Sequence, residues 1–187
     1  MDEKEIALLW DEDTAFKRYL VNMGFNCELV TPIVLVAPFF SLTGYKLLIV
    51  PAGFGNETYS KILVGLRAKS EHIKDFVEAG GTLFIFGALS NKDVYNWLPV
   101  KLKYVMEERR VRILVVKKHK AAMIVEKEEC MCDGYFTEVG EEGEIFLKEE
   151  GGKAILALAE YGAGAIIATT IHEYPSREFI AYCVGRR

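Results

Sequence analysis

Strand-like and helix-like stretches alternate through the first half of the chain, and this alternation narrows the choice of folds more than any other feature. Ile6-Ala-Leu-Leu-Trp10, Lys46-Leu-Leu-Ile-Val50 and Thr82-Leu-Phe-Ile-Phe86 are short, almost continuous apolar runs, the pattern of strands covered on both faces. Cys27 to Val30 reads as a further strand. Between them, Thr14 is placed to cap a helix carrying Phe16, Tyr19, Leu20 and Met23, which Gly24 ends. Ser60 to Glu78 shows one long helical pattern with Ile62, Leu66, Ile73, Phe76 and Val77 on its apolar side, ending at Gly80-Gly81. Pro32 to Thr43 reads as a connection exposing Pro38-Phe-Phe40. Strands and helices in this order imply an α/β fold, a doubly wound and mostly parallel sheet with right-handed crossovers.

The second half differs. Val111 to Val116, Ala121 to Val125, Glu144 to Leu147, Ala154 to Leu158 and Ala165 to Ile171 all read as strands, with a hairpin turn at Tyr161-Gly-Ala-Gly164. This predicts an antiparallel, strand-rich C-terminal half closed by an amphipathic helix over 176–184. With 187 residues and no low-complexity linker, 1–187 reads as a single domain.

Net charge is −4 with both signs mixed along the chain, which argues against a nucleic-acid partner. No apolar run reaches the roughly 20 residues of a membrane span, and the acidic start Met1-Asp-Glu-Lys-Glu5 does not read as a signal peptide. The expected location is therefore the cytoplasm. Cys27, Cys130, Cys132 and Cys183 match no zinc spacing, so they read as reduced thiols, and neither a metal nor a cofactor is expected. Glutamine is absent while Lys and Glu are abundant, a bias seen in thermophile proteins.

In parallel sheets ligands bind beyond the carboxyl ends of the strands. Three segments reach that edge. Gly53, Phe54, Gly55 and Asn56 follow the third strand, and their backbone N–H groups are placed to cradle an anion or an oxyanion. Gly87 to Asp93 follows the fourth. His172 and Glu173 follow the last, an imidazole suited to acid–base work beside a carboxylate suited to orienting it. Neighbours on an extended chain face opposite ways, so the two need not touch.

Taken in order, Ile49-Val-Pro-Ala-Gly-Phe-Gly55, Phe76-Val-Glu-Ala-Gly-Gly-Thr-Leu-Phe-Ile-Phe86 and Tyr161-Gly-Ala-Gly-Ala-Ile-Ile-Ala-Thr-Thr-Ile-His-Glu173 resemble the class I glutamine amidotransferase-like family over most of the chain. The resemblance implies a flavodoxin-like sheet with a cysteine at a sharp strand–turn–helix elbow, an oxyanion loop, and a histidine assisted by an acid. Here the elbow reads Phe86-Gly-Ala-Leu-Ser90, so the nucleophile position falls on Gly87 or Ala88, neither of which can attack a substrate. The family's acid lies two residues beyond its histidine, where this chain has Tyr174, with Glu173 one residue too early. The expectation is an amidotransferase-like protein without glutaminase activity that binds a small ligand at the strand edge or a protein partner, with self-association into an oligomer as a further expectation. Two alternatives stand beside it. One is an amide or ester hydrolase using Ser90 or Cys132 with His172. The other, ranked last, is flavin binding, disfavoured by Asp11-Glu-Asp13 after the first strand.

Overall fold

The computed structural model describes residues 4–141 and 143–186. Strand β1 (Ile6–Leu9) leads into helix α1 (Ala15–Asn22), whose first turn is held by the Thr14 hydroxyl accepting from the Lys17 N–H at 3.3 Å. β2 (Cys27–Val30), a short α2 (Pro32–Val36), β3 (Leu47–Val50), α3 (Ile62–Ala68), α4 (Ser70–Glu78) and β4 (Thr82–Ile85) follow. The single helix expected over 60–78 is two, broken at Lys69, yet Ile62, Leu66, Ile73, Phe76 and Val77 are all buried.

Beyond β4 come β5 (Leu102–Val115), a 3-10 turn at Lys120–Met123, β6 (Glu129–Val139), β7 (Gly143–Glu149), β8 (Ala154–Tyr161), β9 (Gly164–Thr169) and α5 (Arg177–Val184). The strand expected over 121–125 is therefore the 3-10 turn and its exit. β6 escaped the sequence reading because Glu129-Cys-Met-Cys-Asp-Gly134 lacks both a continuous apolar run and β-branched residues.

Among the described residues the strands form one sheet in the order β2-β1-β3-β4-β9-β8-β6-β5-β7, and β7 pairs back onto β8. β5, β6, β8 and β7 thus close into a four-stranded barrel. Pairings are parallel from β2 through β9 and antiparallel everywhere beyond it. This corrects the expected fold class. The chain is a mostly antiparallel sheet with a closed barrel and few helices, not a flavodoxin-like, doubly wound parallel α/β fold. The physical reason lies between β4 and β9. A parallel crossover needs a dozen or more residues, usually a helix, and this stretch holds long strands and one 3-10 turn.

Hydrophobic burial on both faces explains why the first strands were legible. Ile6 and Leu8 join one core cluster, with Phe16 and Leu20 of α1 and Phe179 and Ile180 of α5. Ala7 and Leu9 join the other, with Leu66, Ile73 and Phe76 of α3 and α4. Each of these buried Leu, Ile or Phe side chains contributes up to roughly 1.5–3 kcal/mol. No helix among the described residues is long and apolar enough to cross a membrane.

Candidate functional site

The loop after β3 is clamped against the turn after β4. The Gly53 N–H donates to the Gly87 carbonyl at 2.9 Å and the Gly55 N–H to the Ala88 carbonyl at 3.1 Å, while the Asn56 N–H donates back to Gly53 at 3.0 Å. Phe54 anchors the loop in the core, edge-on to Tyr95 and Trp97. A side chain at Gly55 would meet Val94 at 2.8 Å and Ala88 at 2.9 Å. The close approach therefore requires glycine, and the loop's bonds engage the N–H groups of Gly53, Gly55 and Asn56, three of the four that the sequence offered as an anion cradle.

The turn after β4 contains Leu89 at φ 49°, the sole non-glycine with positive φ among the described residues. Such a backbone is strained for a branched side chain. Gly87 and Ala88 were the expected special positions. Both are buried in the approach to the turn, and the left-handed residue is the one after them. Ser90 closes the turn locally, its hydroxyl accepting from the Lys92 N–H at 3.2 Å.

Opposite this turn, β6 runs antiparallel to the segment beyond β9. The Asp133 N–H donates to the Thr170 carbonyl at 2.9 Å, the His172 N–H to the Met131 carbonyl at 2.8 Å, and Cys132 bridges Ile171. Glu173 turns away from the imidazole and accepts the Met131 N–H at 2.9 and 3.2 Å. The acid facing His172 is instead Asp133, 2% exposed, with its Oδ2 3.9 Å from His172 Nδ1. That distance is too long for a hydrogen bond and short enough for ionic attraction. Tyr104 on β5 donates to the Asp133 carbonyl at 2.6 Å and lies 3.3 Å from Oδ1. The carboxylate presses on Gly87 so closely that a Cβ there would stand 1.9 Å from Oδ1.

The electrostatics follow from these contacts. The facing Asp133 carboxylate holds the His172 proton on more firmly than usual, against the opposing effect of burial, with Glu108 and Glu173 adding to the rise. Burial pushes the Asp133 carboxyl up, while His172 and Tyr104 pull it down. The Cys130 thiol is pushed well up by its contact with Cys132, Sγ to Sγ 3.6 Å, and then by burial.

His172, Asp133 and Leu89 share a cavity of about 610 Å³. Trp10 enters from the end of β1, Ala52 and Tyr59 from the loop after β3, Glu108 from β5, and Met131 and Cys132 from β6. Of the residues singled out from sequence, His172 and Cys132 line this space. Ser90, Glu173 and the Gly53–Asn56 loop do not. A larger, more open hollow of about 770 Å³ lies beside Glu173, between Tyr19 and Tyr174. Sequence reasoning missed Asp133 and Leu89. The first could have been found only by reading β6 as a strand, since Asp133 then falls beside the histidine strand. The signal for the second is its place after a strand end and before the turn Ser90-Asn-Lys92. Among the described residues no group of three or more His, Cys, Asp or Glu side chains is placed to hold a metal ion.

No protein-family model matches the sequence, and no curated protein matches it. Solved structures do. A proposed GMP synthase component from Thermoplasma acidophilum superposes with a TM-score of 0.68 at 12% identity, covering 100% of this chain and 94% of that one. A cytoplasmic protein from Salmonella typhimurium LT2 gives a TM-score of 0.62 at 15% identity over 96% and 95% of the two chains. The β-galactosidase of Bacillus circulans gives 0.59 at 12% identity, with 95% of this chain matching only 30% of the enzyme's length. At such identities the likeness is one of fold: this chain shares its architecture with the Thermoplasma acidophilum protein and with one part of the β-galactosidase.

Proposed function

We propose that this protein binds a small ligand in the Asp133–His172 cavity and has no glutaminase activity. The observation that carries the reading is Leu89. A residue held at positive φ in the turn beyond β4, lining the cavity that also contains a histidine, supports reading this turn as the counterpart of a nucleophile elbow. Leucine's hydrocarbon side chain has no lone pair with which to attack a carbonyl. The architecture shared with the Thermoplasma acidophilum protein supports descent from an amidotransferase-like scaffold. Its occurrence within a β-galactosidase chain agrees with a scaffold not tied to one reaction. The described cysteines are free thiols, in keeping with a reducing compartment, and the cytoplasm is the proposed location, as it is for the similar Salmonella typhimurium protein.

The test pairs an assay with a restored thiol. Wild-type protein should release no ammonia from glutamine at any temperature below its unfolding transition, and iodoacetamide or a fluorophosphonate should leave the folded chain unmodified. Leu89→Cys should gain one iodoacetamide-reactive site in the folded state. Ammonia release by the wild type, or labelling of its Ser90 or Cys132 that His172→Ala abolishes, overturns the proposal in favour of a hydrolase.

A further inference from the structure

We infer that the ligand carries a protonated amine, which docks against Oδ2 of the Asp133 carboxylate. This rests on the reading of the cavity as a ligand site and specifies the chemistry of what enters it. Three observations bear on the charge of the occupant. The ionisable side chains lining the cavity include the carboxylates of Glu108 and Asp133 and the imidazole of His172, and no Lys or Arg stands among the lining residues. Of the loop N–H groups that would attract an anion at this edge, those of Gly53 and Gly55 are already bonded to the carbonyls of Gly87 and Ala88, and that of Asn56 to the Gly53 carbonyl. Asp133 Oδ2 is buried and lacks a hydrogen-bond partner among the described residues, while Oδ1 lies beside the Tyr104 hydroxyl.

A buried carboxylate oxygen without a donor is costly, and an ammonium group supplies the missing donor together with the opposite charge. A carboxylate or phosphate would face the like charges of Glu108 and Asp133, with His172 as the one lining group that can carry a positive charge. A neutral alcohol could donate one hydrogen bond and nothing more. Trp10 and Tyr59 provide aromatic walls for the body of the ligand, and aromatic faces themselves attract alkylammonium groups. A volume of about 610 Å³ accommodates an amine with a ring or a chain of several carbons.

The experiment compares three probes that share one body: 2-phenylethylamine, 2-phenylethanol and phenylacetate, titrated into the full chain at neutral pH by calorimetry. The amine should bind, and the alcohol and the acid should bind at least about tenfold more weakly, the scale of one charge-assisted hydrogen bond. Asp133→Asn, close to isosteric, should lower amine affinity by about tenfold or more and leave the alcohol unchanged. Glu108→Gln, on an accessible strand, should weaken the amine by less, and it stands in for the first variant if that fails to fold. Equal or tighter binding of the alcohol or the acid overturns the amine assignment while leaving a ligand site. Absence of binding by all three at millimolar concentration overturns the amine assignment too. If Ser90 or Cys132 is then labelled in the wild type, the ligand-site reading falls with it.

Discussion

Burial raises the Asp133 carboxyl, and the imidazole across the cavity partly offsets that rise. The same pairing raises His172 above the ordinary histidine value of 6.5. For a histidine raised in the folded state, the stabilisation is fully present below the unfolded value, and it is lost as pH climbs through the folded one. The carboxylates that act on this imidazole are Asp133 from β6, which faces it, and, at longer range, Glu108 from β5 and its own neighbour Glu173. An NMR titration of the His172 ring should therefore give a midpoint above 6.5. Asp133→Asn should move it down, because burial then acts against only the two more distant carboxylates. A midpoint unmoved by that change would mean that the pair is not electrostatically coupled. The ring's side chain is 58% exposed, so solvent screens the pair and its share of global stability is small.

At the scale of elements, the site depends on two close approaches. β6 is zipped to the segment after β9 by backbone bonds on either side of Cys132, which fixes Asp133 opposite His172. β9 itself is seated against the end of α4 and the start of β4. A Cβ on Gly164 would stand 2.2 Å from both the Gly81 and Val77 carbonyl oxygens, backbone atoms that cannot rotate away. Gly164→Ala should cost about 3 kcal/mol, the upper range for overpacking a tight contact, read from the midpoint of chemical denaturation at unchanged slope. A change below about 0.5 kcal/mol, the level of an ordinary surface substitution, would show that this hairpin is seated less firmly than its contacts imply.

At the scale of the molecule, one apolar cluster joins the parallel strands to the barrel. Phe84 and Phe86 of the β4 region, Phe146 and Leu147 of β7, Ile155 and Leu156 of β8, and Phe179 of α5 all belong to it. Phe179 is fully buried and meets Phe84 at a ring separation of 4.8 Å. The two halves should therefore unfold together. Phe179→Ala should cost about 3–5 kcal/mol, the usual penalty for emptying a large aromatic site, while far-UV and near-UV signals keep a shared transition. Separate transitions would divide the chain into two folding units.

Much of the first half was legible because its information is local. A strand buried on both faces must be apolar at successive positions, and a helix must repeat its apolar residues every three or four. Ile6–Leu9, Leu47–Val50, Thr82–Ile85 and the cap at Thr14 could thus be read from neighbouring residues alone. So could the histidine after an apolar strand, and the lack of any attacking side chain at Gly87 or Ala88. The tertiary structure decided the rest. That β5, β6, β8 and β7 close on one another, in place of a continued parallel sheet, depends on pairings between distant segments that periodicity does not encode. The partner of His172 is Asp133 and not the adjacent Glu173, because strand alternation sends neighbours to opposite sides while the register of β6 brings in a carboxylate from 39 residues away. The narrow space at Gly87 likewise exists only once β6 has packed its Asp133 carboxylate against the turn after β4.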